Sequence, residues 1–62
     1  MAVRVSTGQY EASHGRLPRG WGRWAFQIGE QIEWFAGTYT EARKLAIKQA
    51  QQEGVSSIEV LP

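Results

Sequence analysis

The sequence predicts an α+β fold in which a small, mainly antiparallel sheet of three or four strands packs on one helix, in the order β-β-β-α-β. Three observations carry this expectation. Apolar and polar residues alternate in several short stretches, helical periodicity is confined to residues 39–53, and glycine and proline gather in the segments between. Residues 1–62, 7.0 kDa in all, read as a single domain, because a chain this short buries only about 60% of its unfolded surface.

The first strand is expected over residues 2–7, where Val3 and Val5 alternate with Arg4 and Ser6. A basic, glycine-rich loop over residues 8–22 follows, with Gly8, Gly15, Pro18, Gly20 and Gly22 as breakers and Tyr10 as a possible extension of the first strand. A hairpin over residues 23–36 comes next. Its first arm places Trp24, Phe26 and Ile28 on one face and Arg23, Ala25 and Gln27 on the other. Gly29-Glu30-Gln31 is the expected connection. With three linking residues, Ile32, Trp34 and Ala36 continue the inward face while Glu33 and Phe35 point outward, which avoids burying the Glu33 carboxylate without a partner.

A helix is expected over residues 39–53. Thr38 followed by Glu41 fits a capping box, with Thr40 as a competing cap, and Gly54 suits the terminating position. At 100° per residue Ala42, Ala46, Ala50 and Ile47 share one arc, opposite Lys44, Lys48, Gln51 and Gln52. The alanine stripe allows the helix to approach a sheet crowded with aromatics. A last strand over residues 57–61 alternates Ile58 and Val60 with Ser57 and Glu59. The expected core is Trp24, Phe26, Ile28, Trp34, Ala46 and Ile58.

Composition argues against an enzyme. There is no Cys, Asp or Asn, and His14 is the only histidine, so zinc ligation, the usual triad orienter and the usual calcium-loop ligands are missing. Ser13 beside His14 lies on a segment expected to be flexible, with no orienting acid, and the spacing of Glu30, Glu33 and Glu41 does not converge on a site. No cofactor or metal is expected. The longest apolar runs fall far short of the roughly 20 residues that span a bilayer, and residues 1–5 carry no signal-peptide pattern. The expectation is a soluble, cytoplasmic chain with no membrane partner.

The formal charge of +1 is unevenly distributed. Residues 1–29 hold four arginines against Glu11 alone, a local +3, and residues 30–62 hold three basic residues against five glutamates, a local −2. No acid occurs from His14 to Gly29, and Arg19-Gly20-Trp21-Gly22-Arg23-Trp24 interleaves arginine, glycine and tryptophan. Guanidinium forks suit phosphate oxygens and guanine edges, aromatic rings stack on bases, and glycine permits close backbone approach. The expected binding residues are Arg16, Arg19, Trp21 and Arg23, with Gln27 and Phe35 beside them.

The stretch from Arg19 to Ile28, followed by Trp34-Phe35-Ala36-Gly37-Thr38-Tyr39 and Glu41-Ala42, resembles the plant ethylene-response-factor DNA-binding domain. It is also similar to the amino-terminal arm-site-binding domains of phage and transposon integrases. The resemblance covers roughly residues 16–46. It implies a three-stranded antiparallel sheet on one helix, with the exposed sheet face docked in the major groove of duplex DNA through Arg and Trp. On that basis Arg19, Trp21 and Arg23 correspond to DNA-facing positions, Trp24 and Ile28 to core, and Phe35 to the vicinity of an outward tryptophan. The chain has Gly29, Glu30 and Glu33 where the family carries further basic residues. The competing expectation is a protein-interaction or inhibitor module of a phage or plasmid, or a homodimer. In that reading Trp21 and Phe35 form an exposed anchor, Arg23 and Glu33 pair across the strands, and free strand edges offer pairing sites.

Overall fold

A computed structural model describes residues 2–62. Strand β1 (Arg4–Ser6) leads into helix α1 (Gly8–His14), followed by the hairpin of β2 (Trp21–Ile28) and β3 (Gln31–Thr38), helix α2 (Tyr39–Glu53) and strand β4 (Ser57–Val60). The four strands form one mixed, mostly antiparallel sheet in the order β1-β4-β2-β3. The last strand is therefore central: β4 runs antiparallel to β2 through Phe26↔Val60 and Ile28↔Ile58, and parallel to β1 through Val5↔Ile58. The α+β class matches expectation. The element order does not, because a second helix occupies the first half of the expected 8–22 loop.

That helix is framed by the glycines that suggested a loop. Gly8 opens it, and Gly15 closes it in the left-handed region at φ 70°, its N–H donating to Glu11 O at 2.8 Å. The Thr7 hydroxyl bonds the Glu11 carboxylate, and Gln9 N–H donates to Glu59 Oε2 at 3.4 Å, satisfying part of the helix start from β4. With seven residues, α1 is too short to hold itself. Tyr10 anchors it instead, buried and packed against Trp24 with ring centroids 5.7 Å apart.

Helix α2 spans residues 39–53, as expected. Thr38 Oγ1 accepts from Glu41 N–H at 3.2 Å, and Ala42, Ala46 and Ala50 lie fully buried against the sheet. Gly54 at φ 72° ends it in a Schellman arrangement, with Val55 N–H donating to Ala50 O at 2.8 Å and Gly54 N–H to Gln51 O at 3.3 Å.

The hairpin register departs from expectation. Ile28 pairs with Gln31 across a two-residue turn, Gly29-Glu30. Gly29 has φ 61° and no non-glycine residue among those described has positive φ, which suits a type II′ turn with glycine first and excludes type I′. Two linking residues instead of three reverse the parity of the whole strand. Phe35, opposite Trp24, faces α2 and meets Phe26 edge-on at 5.9 Å. Trp34, expected in the core, is 66% exposed, and Ile32 is 54% exposed. Glu33 lies on the helix side but is only half-buried, because β3 is the sheet edge, so its carboxylate keeps access to water. The cost that favoured the other register does not arise. Arg23 lies opposite Ala36, on the face away from Glu33, so the expected cross-strand pair does not form.

The core thus comprises Tyr10, Trp24, Phe26, Ile28, Ile58 and Val60 with the alanine stripe, and Phe35, Tyr39 and Val55 pack at its margin. Its buried aromatic member beyond Trp24 and Phe26 is Tyr10, with Phe35 and Tyr39 at the margin; Trp34 is not part of it. No helix among the described residues is long and apolar enough to cross a membrane.

Candidate nucleic-acid interface

Helix α2 covers one face of the sheet and leaves the hairpin's other face open. Alternation assigns Trp21, Arg23, Ala25 and Gln27 of β2, and Ile32, Trp34 and Ala36 of β3, to that open face. β4 pairs only with residues 26–28 of β2, so the first half of the hairpin projects beyond it. There the neighbours of β2 are Leu61, whose N–H donates to Ala25 O at 2.9 Å, and the α1 residues Tyr10 and His14, whose rings stack 4.1 Å apart.

A groove of about 290 Å³ opens at this corner. Arg16, Arg19 and Arg23 line it together with Trp21, Trp34 and His14, while Ala25, only 6% exposed, also lines it. No acidic side chain contributes to its wall, which Leu61 and Pro62 complete. The three arginines are exposed, and among the described residues no ion pair or side-chain hydrogen bond engages their guanidinium groups. Three unneutralised cations around a shared concavity attract polyanions and hold phosphate oxygens through paired N–H groups.

Four of the six expected binding residues, Arg16, Arg19, Trp21 and Arg23, therefore converge. Gln27 shares the open face but lies outside this groove, its amide Nε2 donating to Gly29 O at 2.8 Å. Phe35 is corrected: it packs against the core under α2 and is not presented on the open face. Trp34 takes the outward aromatic position one residue earlier. The sequence signal for it was the Gly-first connection, which read as a two-residue II′ turn turns Trp34 outward.

Trp24 borders the groove from β2, and its ring is held on the helix side, behind the site. Its Nε1–H donates to Gly37 O at 3.2 Å, and Tyr39 meets it edge-on at 5.2 Å. Burial pushes the Tyr39 hydroxyl above its ordinary pKa near 10.0, opposed in part by the Arg43 guanidinium. No three His, Asp or Glu side chains gather as a metal-binding group among the described residues. No protein-family model matches the chain, and neither a curated protein nor a solved structure matches it.

Proposed function

We propose that this chain is a small non-enzymatic nucleic-acid-binding module that works through its open sheet face. The observation that carries the reading is the convergence of Arg16, Arg19 and Arg23 with Trp21 and Trp34 on one acid-free groove. Arginine supplies phosphate contacts and guanine-edge recognition, and the indoles supply stacking surface. The resemblance to sheet-face DNA-binding domains agrees with this use of the surface and first suggested duplex DNA as the partner. Three neutralised phosphates imply that log K falls with log[salt] at a slope of roughly −2 to −3. Titration of oligonucleotides at two salt concentrations tests it, followed by backbone amide shifts. Signals from residues 14–27 that stay fixed at low salt reject the reading.

A second reading, self-association, rests on the outer edge of β3. In the antiparallel ladder the even-numbered residues of β2 bond the odd-numbered residues of β3, and Tyr39 N–H donates to Gly20 O at 2.8 Å in the same phase. The N–H and C=O groups of Ile32, Trp34 and Ala36 consequently face outward along an eight-residue edge without proline or a basic residue. A second copy pairing there extends the sheet. Sedimentation at increasing concentration checks it, and a monomer throughout the range removes it.

A further inference from the structure

The open face holds two indoles in an arrangement that discriminates between forms of nucleic acid. Trp21 is 78% exposed and Trp34 66% exposed, and both line the arginine groove. Trp21 lies opposite Thr38 and Trp34 opposite Ala25, so the two are offset by four residues along the strands, roughly 13 Å. Arg23 projects from the same face midway between them. Around them lie Ala25, Ala36 and Ile32, and Thr38, opposite Trp21, has its hydroxyl engaged in capping α2.

A duplex offers this surface phosphates and base edges, because its bases are stacked on each other. Edge reading needs hydrogen-bonding side chains; the groove's three arginines can serve it, whereas the two exposed indole faces among them cannot. Against a duplex the indoles reach phosphates and sugars, but their faces find no unstacked base. Unstacked bases supply the missing apolar partners, since every base has a π-face. Exposed apolar rings beside unpaired cations are complementary to a chain in which bases and phosphates are both accessible.

Resting on the nucleic-acid reading above, we infer that the groove binds single-stranded polynucleotide in preference to duplex. Trp21 and Trp34 each stack one base, and Arg23 holds phosphate between them. The third tryptophan provides an internal reference: Trp24 is 6% exposed, hydrogen-bonded, and turned away from the open face. Bound bases therefore quench the fluorescence of Trp21 and Trp34 and leave that of Trp24.

The test titrates the full chain with dT12, rU12 and a GC-rich 12-base-pair hairpin duplex, which stays paired at low salt, reading anisotropy of labelled strands and intrinsic fluorescence. Tighter binding of at least one single strand than of the duplex, by about tenfold or more, is expected, with quenching that disappears in the W21A/W34A double variant. Each single substitution lowers single-strand affinity roughly 5- to 100-fold. Both rings are exposed, so the variants retain their far-ultraviolet circular dichroism and unfold cooperatively. The comparison of dT12 with rU12 assigns the sugar. Duplex binding within about tenfold of the tighter single strand, or quenching that persists in the double variant, overturns this inference while leaving nucleic-acid binding intact. Failure of all three ligands to bind removes both.

Discussion

Replacing Phe35 with alanine, and Trp34 with alanine beside it, separates the two possible hairpin registers by a stability difference. A fully buried Phe→Ala change costs about 3–5 kcal/mol. Phe35 is half-buried against Phe26 at the core margin, so about half of that, ~2 kcal/mol, is expected. Trp34 presents most of its ring to water, and its removal should cost less than ~1 kcal/mol. Both substitutions place alanine in β3, so the strand-propensity loss is shared and the difference reports burial. Against a total stability of roughly 3–9 kcal/mol for a chain this size, 2 kcal/mol lowers the melting midpoint by on the order of 10 °C. Thermal unfolding followed by circular dichroism measures this. A W34A midpoint as low as that of F35A would refute the assignment of Phe35 to the core side.

Three further outcomes follow from the same geometry. Thr38→Ala removes the acceptor for Glu41 N–H and should destabilise by about 1 kcal/mol in urea unfolding, with Thr38→Ser largely restoring it. Ala46→Leu inserts three carbons where the helix touches the sheet and should cost about 1–3 kcal/mol, whereas Lys44→Leu on the exposed face should change stability by no more than ~0.5 kcal/mol. Tyr39 holds its proton more tightly folded than unfolded, chiefly through burial, so its contribution is intact below pH 10 and is lost as pH rises through the raised folded value. Tyr39→Phe should flatten part of the alkaline loss, and an unchanged difference between the two proteins from pH 9 to 11.5 argues against that linkage.

The features legible in the sequence are those fixed by local chemistry. Helix α2 carries its own cap, its own alanine stripe and its own terminating glycine, so its bounds follow from adjacent residues. Helix α1 carries no such pattern: in Gly8–His14 only Tyr10 is buried, and the helix depends on Trp24, fourteen positions away. Its flanking glycines are equally compatible with a loop until that contact exists. The register of β3 turned on a single residue of turn length, and the argument that decided it assumed that an inward Glu33 is buried. As an edge strand, β3 leaves Glu33 hydrated and removes the penalty. The arginine cluster was readable because it is contiguous, from Arg16 to Arg23. Trp34 joins it through the pairing with Ala25, which follows from the two-residue Gly29-Glu30 turn and is invisible when that turn is read as three residues.

The segment bearing Arg16 and Arg19 was expected to be a glycine-rich loop, and its tethering decides what it can contribute to binding. Gly15 closes α1 through Glu11 O, Pro18 is buried, and Gly20 O accepts from Tyr39 N–H, so the six residues between α1 and β2 are fixed at their start, middle and end. Arg16, Leu17 and Arg19 project from these fixed points into solvent. Ordering a flexible backbone on binding costs about 1–2 kcal/mol per residue, a sum that three exposed arginines would struggle to offset. Here folding has already ordered that backbone, and only the arginine side chains remain to be immobilised, at about 0.5–1.5 kcal/mol each. The short helix thus has a consequence beyond the core it completes: by fixing Tyr10 against Trp24 it sets where the tethered segment begins, and so where Arg16 stands relative to Arg23 and the two exposed indoles.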